Sequence, residues 1–198
     1  MGHNNLKSRV VVVRSVPPAS AGGIRWPAPM WNDTDIPLGH LITFRCYGTW
    51  LHGDERGSTD RFHNRYKSPH LPRSDRRRVL NERRLTSAPV TLDSRQRQSV
   101  ERAIGEVCIH RNWYLHVVNV RTNHVHLVTS IGKVELGHAL NAFKAYATRQ
   151  LRHDNLWPEP HSPWADKGSI RYLWNEKSLF LAIDYVMNGQ GGDLPDFD

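Results

Sequence analysis

The stretch Trp113-Tyr-Leu-His-Val-Val-Asn-Val-Arg-Thr-Asn-His-Val-His-Leu-Val-Thr-Ser130 decides how this chain folds. Residues 113–120 and 124–130 are rich in aromatic and β-branched side chains, which favour strands. The polar residues 121–123 separate these two apolar runs. The pattern therefore predicts a β-hairpin with a short polar turn.

Two histidines stand two residues apart in the second strand of this hairpin. Because side chains alternate between the two faces of a strand, His124 and His126 must leave the same face. Two neighbouring imidazoles on a rigid sheet favour a divalent metal site, since a neutral imidazole nitrogen is a common metal ligand. The spacing alone leaves a second interpretation open, in which both are ordinary sheet histidines.

The chain has 198 residues, of which 38% are hydrophobic, and this is enough for one packed domain. Residues 1–38 are rich in proline and glycine and show little periodicity, which predicts an irregular N-terminal arm. We therefore expect a single domain over residues 39–198. A basic insertion at about 53–90 interrupts it.

The chain is strongly basic. Its 27 lysines and arginines outnumber its 19 acidic residues, which gives a net charge of +8. Many of the basic side chains crowd one segment with Phe62, His63 and Tyr66 between them: Arg56, Arg61, Arg65, Lys67, Arg73, Arg76, Arg77, Arg78, Arg83 and Arg84. Arginines interleaved with stacking side chains suit nucleic acid better than a membrane surface. Arg56 and Arg61 are therefore candidate DNA contacts.

Only two cysteines, Cys46 and Cys108, are present, which excludes a disulfide framework and a four-cysteine zinc site. No apolar run is long enough to cross a membrane. The sequence therefore predicts a soluble protein of a reducing compartment, cytoplasmic and associated with the nucleoid, with no membrane partner.

The remaining elements follow from hydrophobic periodicity. They are a strand at 40–47, a helix at 92–111 capped by Thr91, a helix at 134–152, a strand at 169–173 and a last helix capped by Asn175. Together with the hairpin they give the order β-α-β-β-α-β. This order predicts an α+β ferredoxin-like fold, an antiparallel sheet with a C-terminal tyrosine-bearing helix.

The segment Asn123-His-Val-His-Leu127, placed after a strand and a turn, resembles the signature of the HUH endonucleases. It is most similar to the single-tyrosine transposases, in particular the REP-associated tyrosine transposases with their transposase IS200-like domain. The resemblance implies that His124 and His126 hold Mg²⁺ or Mn²⁺ against a scissile DNA phosphate. It also implies that a tyrosine on a later helix attacks that phosphate.

The segment Ala182-Ile-Asp-Tyr-Val-Met-Asn-Gly-Gln190 resembles the family helix that supplies the nucleophile. The resemblance implies that Tyr185 is catalytic, with Tyr146 and Tyr172 as the alternatives. The third metal ligand of the family is an amide four residues after the tyrosine, where this chain has Gly189. We favour Gln190 as the third ligand, with Asn188 as the alternative.

The segment Phe143-Lys-Ala-Tyr-Ala-Thr-Arg-Gln-Leu151 resembles the family helix that lies near the DNA backbone. We expect Lys144, Arg149 and Arg152 to point outward from it, and take Lys144 and Arg149 as further candidate DNA contacts. The long connection after the first strand departs from the family pattern.

The resemblance implies a metal-dependent endonuclease and strand transferase of single-stranded DNA. Such a transposase cleaves hairpin-flanked DNA through a 5′-phosphotyrosine intermediate. Its partners would be single-stranded or hairpin DNA and a second copy of the chain in a homodimer. Two other functions stay open: a domesticated protein that binds hairpin DNA without transposition, and a metal phosphodiesterase that does not use tyrosine.

Overall fold

The computed structural model describes residues 36–51, 53–54 and 73–190. The predicted arm at 1–38 therefore lies almost wholly outside the described residues, as do Arg56 and Arg61. Within the described part, no helix is long and apolar enough to cross a membrane.

Four strands and four helices make up the described part of the chain. In order they are β1 (Gly39–Cys46), α1 (Asp75–Glu82), α2 (Ser94–His110), β2 (Tyr114–Val120), β3 (His124–Ser130), α3 (Leu136–His153), β4 (Trp164–Leu173) and α4 (Glu176–Asn188). The strands form one antiparallel sheet in the order β2-β3-β1-β4. With α2 and α3 as the two crossover helices, this is the predicted ferredoxin-like arrangement.

One face of the sheet carries the main hydrophobic core. From β1 and β3 it receives Ile42, Phe44, Val125 and Leu127, all fully buried. The apolar stripes of α2 and α3 cover these side chains, as the periodicity of both helices predicted.

Within the described part of the chain, α4 is the helix that covers the opposite face of the sheet. Ala182 and Val186 of this helix pack on Val117, Val128 and Leu173 in a smaller cluster. A capping box starts the helix, because the Asn175 side chain accepts a hydrogen bond from the Ser178 backbone N–H and the Ser178 side chain accepts one from the Asn175 N–H. The helix and its predicted cap are therefore both present.

Three local details differ from the sequence prediction. Asp93, not Thr91, caps α2, since its carboxylate accepts the Gln96 backbone N–H at 2.7 Å. Helix α1 lies inside the insertion, where no helix was predicted. Strand β4 begins at Trp164 instead of residue 169. Its exposed polar run at 166–169 lies on a sheet edge and lacks the alternation that marks a half-buried strand.

The prediction that Lys144 points outward is wrong. Its side chain is only 8% exposed, and its Nζ donates hydrogen bonds to the carbonyl oxygens of Ala165, Asp166 and Lys167 at 2.7, 2.9 and 3.2 Å. Burial lowers the pKa of Lys144. The alkyl stem of a lysine can lie in the core while its ammonium reaches unpaired carbonyls, which helical spacing alone does not reveal. Arg149 is exposed, as predicted, and its guanidinium lies 4.2 Å from the centre of the Tyr146 ring.

Candidate metal and tyrosine site

Strand β3 places the two histidines side by side on the α4 face of the sheet. Their ring centres are 4.7 Å apart. The register of the sheet sets His126 opposite Thr43 and His124 opposite Arg45 on β1. The alternation that sends Val125 and Leu127 into the core therefore brings both imidazoles to the other face.

His126 is the more buried histidine of the pair, at 8% exposure. A 2.7 Å hydrogen bond joins its Nδ1 to the Thr43 hydroxyl, which leaves Nε2 for another partner. Burial, followed by the nearby charges of His124, Arg45 and Arg121, lowers the pKa of His126 to about 3. The imidazole is therefore neutral at physiological pH, the form that binds metal ions.

His124 is oriented by the residue before it in the chain. Its Nδ1 lies 2.6 Å from the Asn123 side-chain oxygen, which can only accept, so Nδ1 carries the hydrogen. Asn123 is itself fixed, because its backbone oxygen accepts hydrogen bonds from the Cys46 N–H at 2.9 Å and the Thr49 hydroxyl at 3.3 Å. In the neutral ring, Nε2 then presents a lone pair.

Gln190 follows the end of α4 and reaches His124. Its Nε2 donates to the Tyr185 backbone oxygen at 3.2 Å, and its Oε1 lies 3.4 Å from His124 Nε2. Two acceptor atoms then face each other, and a cation between them satisfies both. The structure thus places Gln190 beside His124, whereas Asn188 donates to the Asp184 carboxylate at 2.7 Å.

Tyr185 lies on α4 above the histidines. Its ring centre is 5.6 Å from that of His126, with the ring planes at 76°, and its side chain is 44% exposed. Asn119 of β2 secures the helix here by donating to the Val186 backbone oxygen at 2.9 Å. The nucleophile predicted from sequence is therefore next to the histidine pair within one chain.

The two alternative tyrosines lie elsewhere. Tyr146 is on α3, which covers the other face of the sheet, and its ring is 6.1 Å from that of His110. Tyr172 is on β4 and packs edge-on against His40 at 5.5 Å. Among the three candidates, Tyr185 alone contacts His124 or His126 in the interactions of the described chain.

Gly189 makes room for the Tyr185 ring. A Cβ atom at this position would lie 2.8 Å from Tyr185 Cδ2, closer than side chains tolerate. The same Cβ would lie 2.8 Å from the Tyr185 backbone oxygen, so the end of α4 requires glycine here. The amide of Gln190 follows at the next position.

The donor set fits a hard divalent cation that also accepts nitrogen ligands. It consists of two imidazole nitrogens and one amide oxygen, with hydrogen bonds that fix both rings. Within the described residues, no three His, Cys, Asp or Glu side chains cluster around a common point. Among the described residues, Gln190 is the side chain of another type that lies beside the pair.

Sequence reasoning missed the residues that orient the histidines. Thr43 and Arg45 alternate with buried residues of β1, so the pattern did put them on the face opposite the core. Only the pairing of β1 with β3 reveals that this is the face of His124 and His126. Asn123 stood in the motif itself, and its proximity to His124 was the available signal.

Residues 83–175 match the family model for Transposase IS200 like. The resemblance to this family is therefore confirmed over that segment, which contains the histidine pair and ends before α4. The IS200-like segment thus covers β2, β3 and both crossover helices, while Tyr185 and Gln190 follow it.

Two solved structures are similar to the chain at low identity. A REP-associated tyrosine transposase bound to a REP hairpin is 13% identical, with 84% of this chain and 70% of that one covered and a TM-score of 0.41. A candidate transposase from Deinococcus radiodurans R1 is 10% identical, with 85% and 96% covered and a TM-score of 0.37. No curated protein matches the chain.

Proposed function

We propose that this protein is a metal-dependent endonuclease and strand transferase of single-stranded DNA, with Tyr185 as the nucleophile. The observation that carries the proposal is the approach of the Tyr185 and His126 rings to 5.6 Å, in a site that also holds His124 and Gln190. The IS200-like segment supports the same chemistry.

His124, His126 and Gln190 would hold the metal ion, Mg²⁺ or Mn²⁺. When bound, such an ion polarises the phosphate and offsets the charge that grows on its oxygens. Thr43 and Asn123 keep the two imidazoles in the required orientation.

Tyr185 performs the covalent step. Its phenolic oxygen forms a bond to phosphorus as the bond from phosphorus to the 3′ oxygen breaks, and the phenolic proton passes to solvent. The 3′ oxygen takes a proton and leaves as a free 3′-OH, while the 5′ end stays on the protein as phosphotyrosine. This ester conserves the energy of the broken bond, so a 3′-OH can later displace the tyrosine without ATP.

The substrate in this proposal is a single strand that flanks a DNA hairpin. The net charge of +8 favours a polyanion, and the exposed Arg149 joins Arg56 and Arg61 as a proposed phosphate contact. Lys144 is not among them, because its ammonium is hydrogen-bonded to three carbonyl oxygens. We further propose that the protein works as a homodimer on DNA in the nucleoid.

The test is adduct formation with labelled hairpin oligonucleotides that carry single-stranded flanks, in the presence of Mn²⁺. We expect a DNA–protein adduct that survives denaturing electrophoresis and is lost with EDTA. Tyr185→Phe should remove the adduct, whereas the matched variants Tyr146→Phe and Tyr172→Phe should retain it. Cleavage without an adduct would instead indicate a phosphodiesterase, and binding without cleavage a domesticated DNA-binding protein.

A further inference from the structure

Arg45 is a charged residue next to the histidines that the proposed chemistry has not yet used. It lies on β1 directly opposite His124 in the antiparallel register, on the face that also carries His126 and Thr43. Directly opposed residues of antiparallel strands lie about 5 Å apart, well within the length of an arginine side chain. The guanidinium can therefore reach a group bound beside His124.

The Arg45 side chain is supported by an aromatic ring. Its guanidinium carbon lies 3.7 Å from the centre of the Trp50 ring, which places the planar cation over the indole face. Stacking restricts the rotamers of a long side chain, so less conformational entropy is lost when it binds an anion. The indole therefore covers one face of the guanidinium.

The turn that carries Trp50 is fixed to the same residue that orients His124. The Thr49 hydroxyl donates to the backbone oxygens of Cys46 at 2.9 Å and Asn123 at 3.3 Å. Gly48 adopts a left-handed conformation, with φ of 72°, that brings the turn against Pro89. The turn that carries Trp50 is thus hydrogen-bonded to Asn123, the residue that orients His124.

We propose that Arg45, supported by Trp50, donates hydrogen bonds to a non-bridging oxygen of the phosphate that Tyr185 attacks. The inference rests on the proposed function and adds a substrate-contacting residue to it. A guanidinium presents paired N–H groups that match phosphate oxygens, and such a donor stabilises the charge that grows in the transition state.

The test compares Arg45→Ala and Arg45→Lys with Arg95→Ala. Arg95 is an exposed arginine on α2, on the other side of the sheet, so its loss removes the same charge without touching the site. At saturating DNA, we expect Arg45→Ala to slow adduct formation about 100-fold, as for the loss of one preorganised donor. Arg45→Lys should recover only part of the rate, and Arg95→Ala should match the wild type.

DNA binding at several salt concentrations provides a second readout that does not require cleavage. Loss of one phosphate contact should lower the slope of log affinity against log salt by about one in Arg45→Ala, and leave it unchanged in Arg95→Ala. Trp50→Leu, which keeps the charge but removes the stack, should slow the adduct less than Arg45→Ala does. Thermal unfolding of each variant checks that it is folded.

Equal rates and equal salt slopes for Arg45→Ala and Arg95→Ala would overturn the inference. Failure of the wild-type chain to form an adduct would overturn the proposed function instead. In that case the salt slopes alone decide whether Arg45 meets a phosphate: a lowered slope supports the contact, and an unchanged slope refutes it.

Discussion

The two faces of the sheet differ in what their side chains do, although the same strands supply both. One face is closed by α2 and α3 over a continuous apolar core. Among the described elements, α4 covers the other face, over a smaller apolar cluster. Next to that cluster lie His124, His126 and Tyr185. Most of the buried apolar surface therefore lies on the first face, and the proposed site lies on the second.

Successive side chains of β3 point to opposite faces of the sheet, so neighbouring residues can belong to the core and to the proposed site. Val125 and Leu127 are fully buried in the core, while His124 and His126 are on the face of the proposed site. A rigid core directly beneath the site holds the imidazoles in place without sharing their chemistry. Substitutions at adjacent positions should consequently have opposite consequences.

The largest expected effect comes from two neighbours on β3. His126→Ala removes a proposed metal ligand, and we expect adduct formation to fall about 1000-fold or more, since the ion contributes several kcal/mol of transition-state stabilisation. Leu127→Ala leaves a cavity in the core and should lower the free energy of unfolding by about 3 kcal/mol. Chemical denaturation and adduct assays on both variants provide the measurements. A large loss of activity in folded Leu127→Ala would contradict the separation of the two faces.

The next effect concerns two glycines, one on each side of the sheet. Gly189→Ala would place a methyl group against the Tyr185 ring, and we expect adduct formation to fall roughly 10- to 100-fold as the ring is displaced. Gly105→Ala on α2 is the matched control, because a Cβ there meets nothing within 4 Å. It should stabilise the helix by up to about 1 kcal/mol and leave the rate unchanged. An equal rate in both variants would refute the proposed position of the ring.

A smaller effect is expected from the hydrogen bond that orients His126. Thr43→Val removes the hydroxyl partner of Nδ1 while keeping a similar volume on β1. The loss of such an orienting partner commonly weakens metal binding 10- to 100-fold, so the Mn²⁺ concentration for half-maximal adduct should rise by about that factor. A Mn²⁺ titration measures it, and saturating Mn²⁺ should restore most of the rate. An unchanged Mn²⁺ requirement would mean that the hydroxyl does not orient a ligand.

The smallest expected effect is the contribution of His40, which lies away from the site, to the pH dependence of stability. His40 is 2% exposed, its Nδ1 has no hydrogen-bond partner among the described residues, and burial lowers its pKa from 6.5. The unfolded chain therefore takes up a proton first, so stability should fall as the pH drops from about 6.5 towards the lower pKa of the folded state. Above that range the neutral form prevails in both states, and His40 adds no pH dependence.

Denaturation midpoints of His40→Leu and the wild type, measured between pH 7.5 and about 5, test this expectation. The variant should lose less stability on acidification. His138→Leu, which changes an exposed histidine on α3, is the control and should behave as the wild type. Identical pH slopes in all three proteins would show that His40 is not responsible.

Much of the fold was predictable because it depends on local pattern. The hairpin, the crossover helices and the cap at Asn175 follow from alternation, helical periodicity and turn residues, and the structure has them within a few residues. The early part of β4 was missed because an exposed edge strand carries no such alternation. Helical spacing alone predicts that the Lys144 side chain points outward, because it does not show which backbone carbonyls lack hydrogen-bond partners.

The site was predictable in its components but not in its assembly. His124, His126 and Tyr185 were recognisable from motifs, whereas the choice between Asn188 and Gln190 depended on how the helix ends. The structure places Gln190 beside His124 and turns Asn188 towards Asp184. Thr43 and Arg45 entered only through the pairing of β1 with β3, which no single segment encodes, whereas Asn123 stands beside His124 in the motif itself.

The hydrogen bond from the Gln190 amide to the backbone of Tyr185 joins the proposed nucleophile and the proposed third ligand on one helix end. Any shift of α4 away from the sheet withdraws both at once and leaves two imidazoles that lack an attacking group. Under the proposed function, a copy whose α4 has detached would therefore lose the nucleophile and the third metal ligand together.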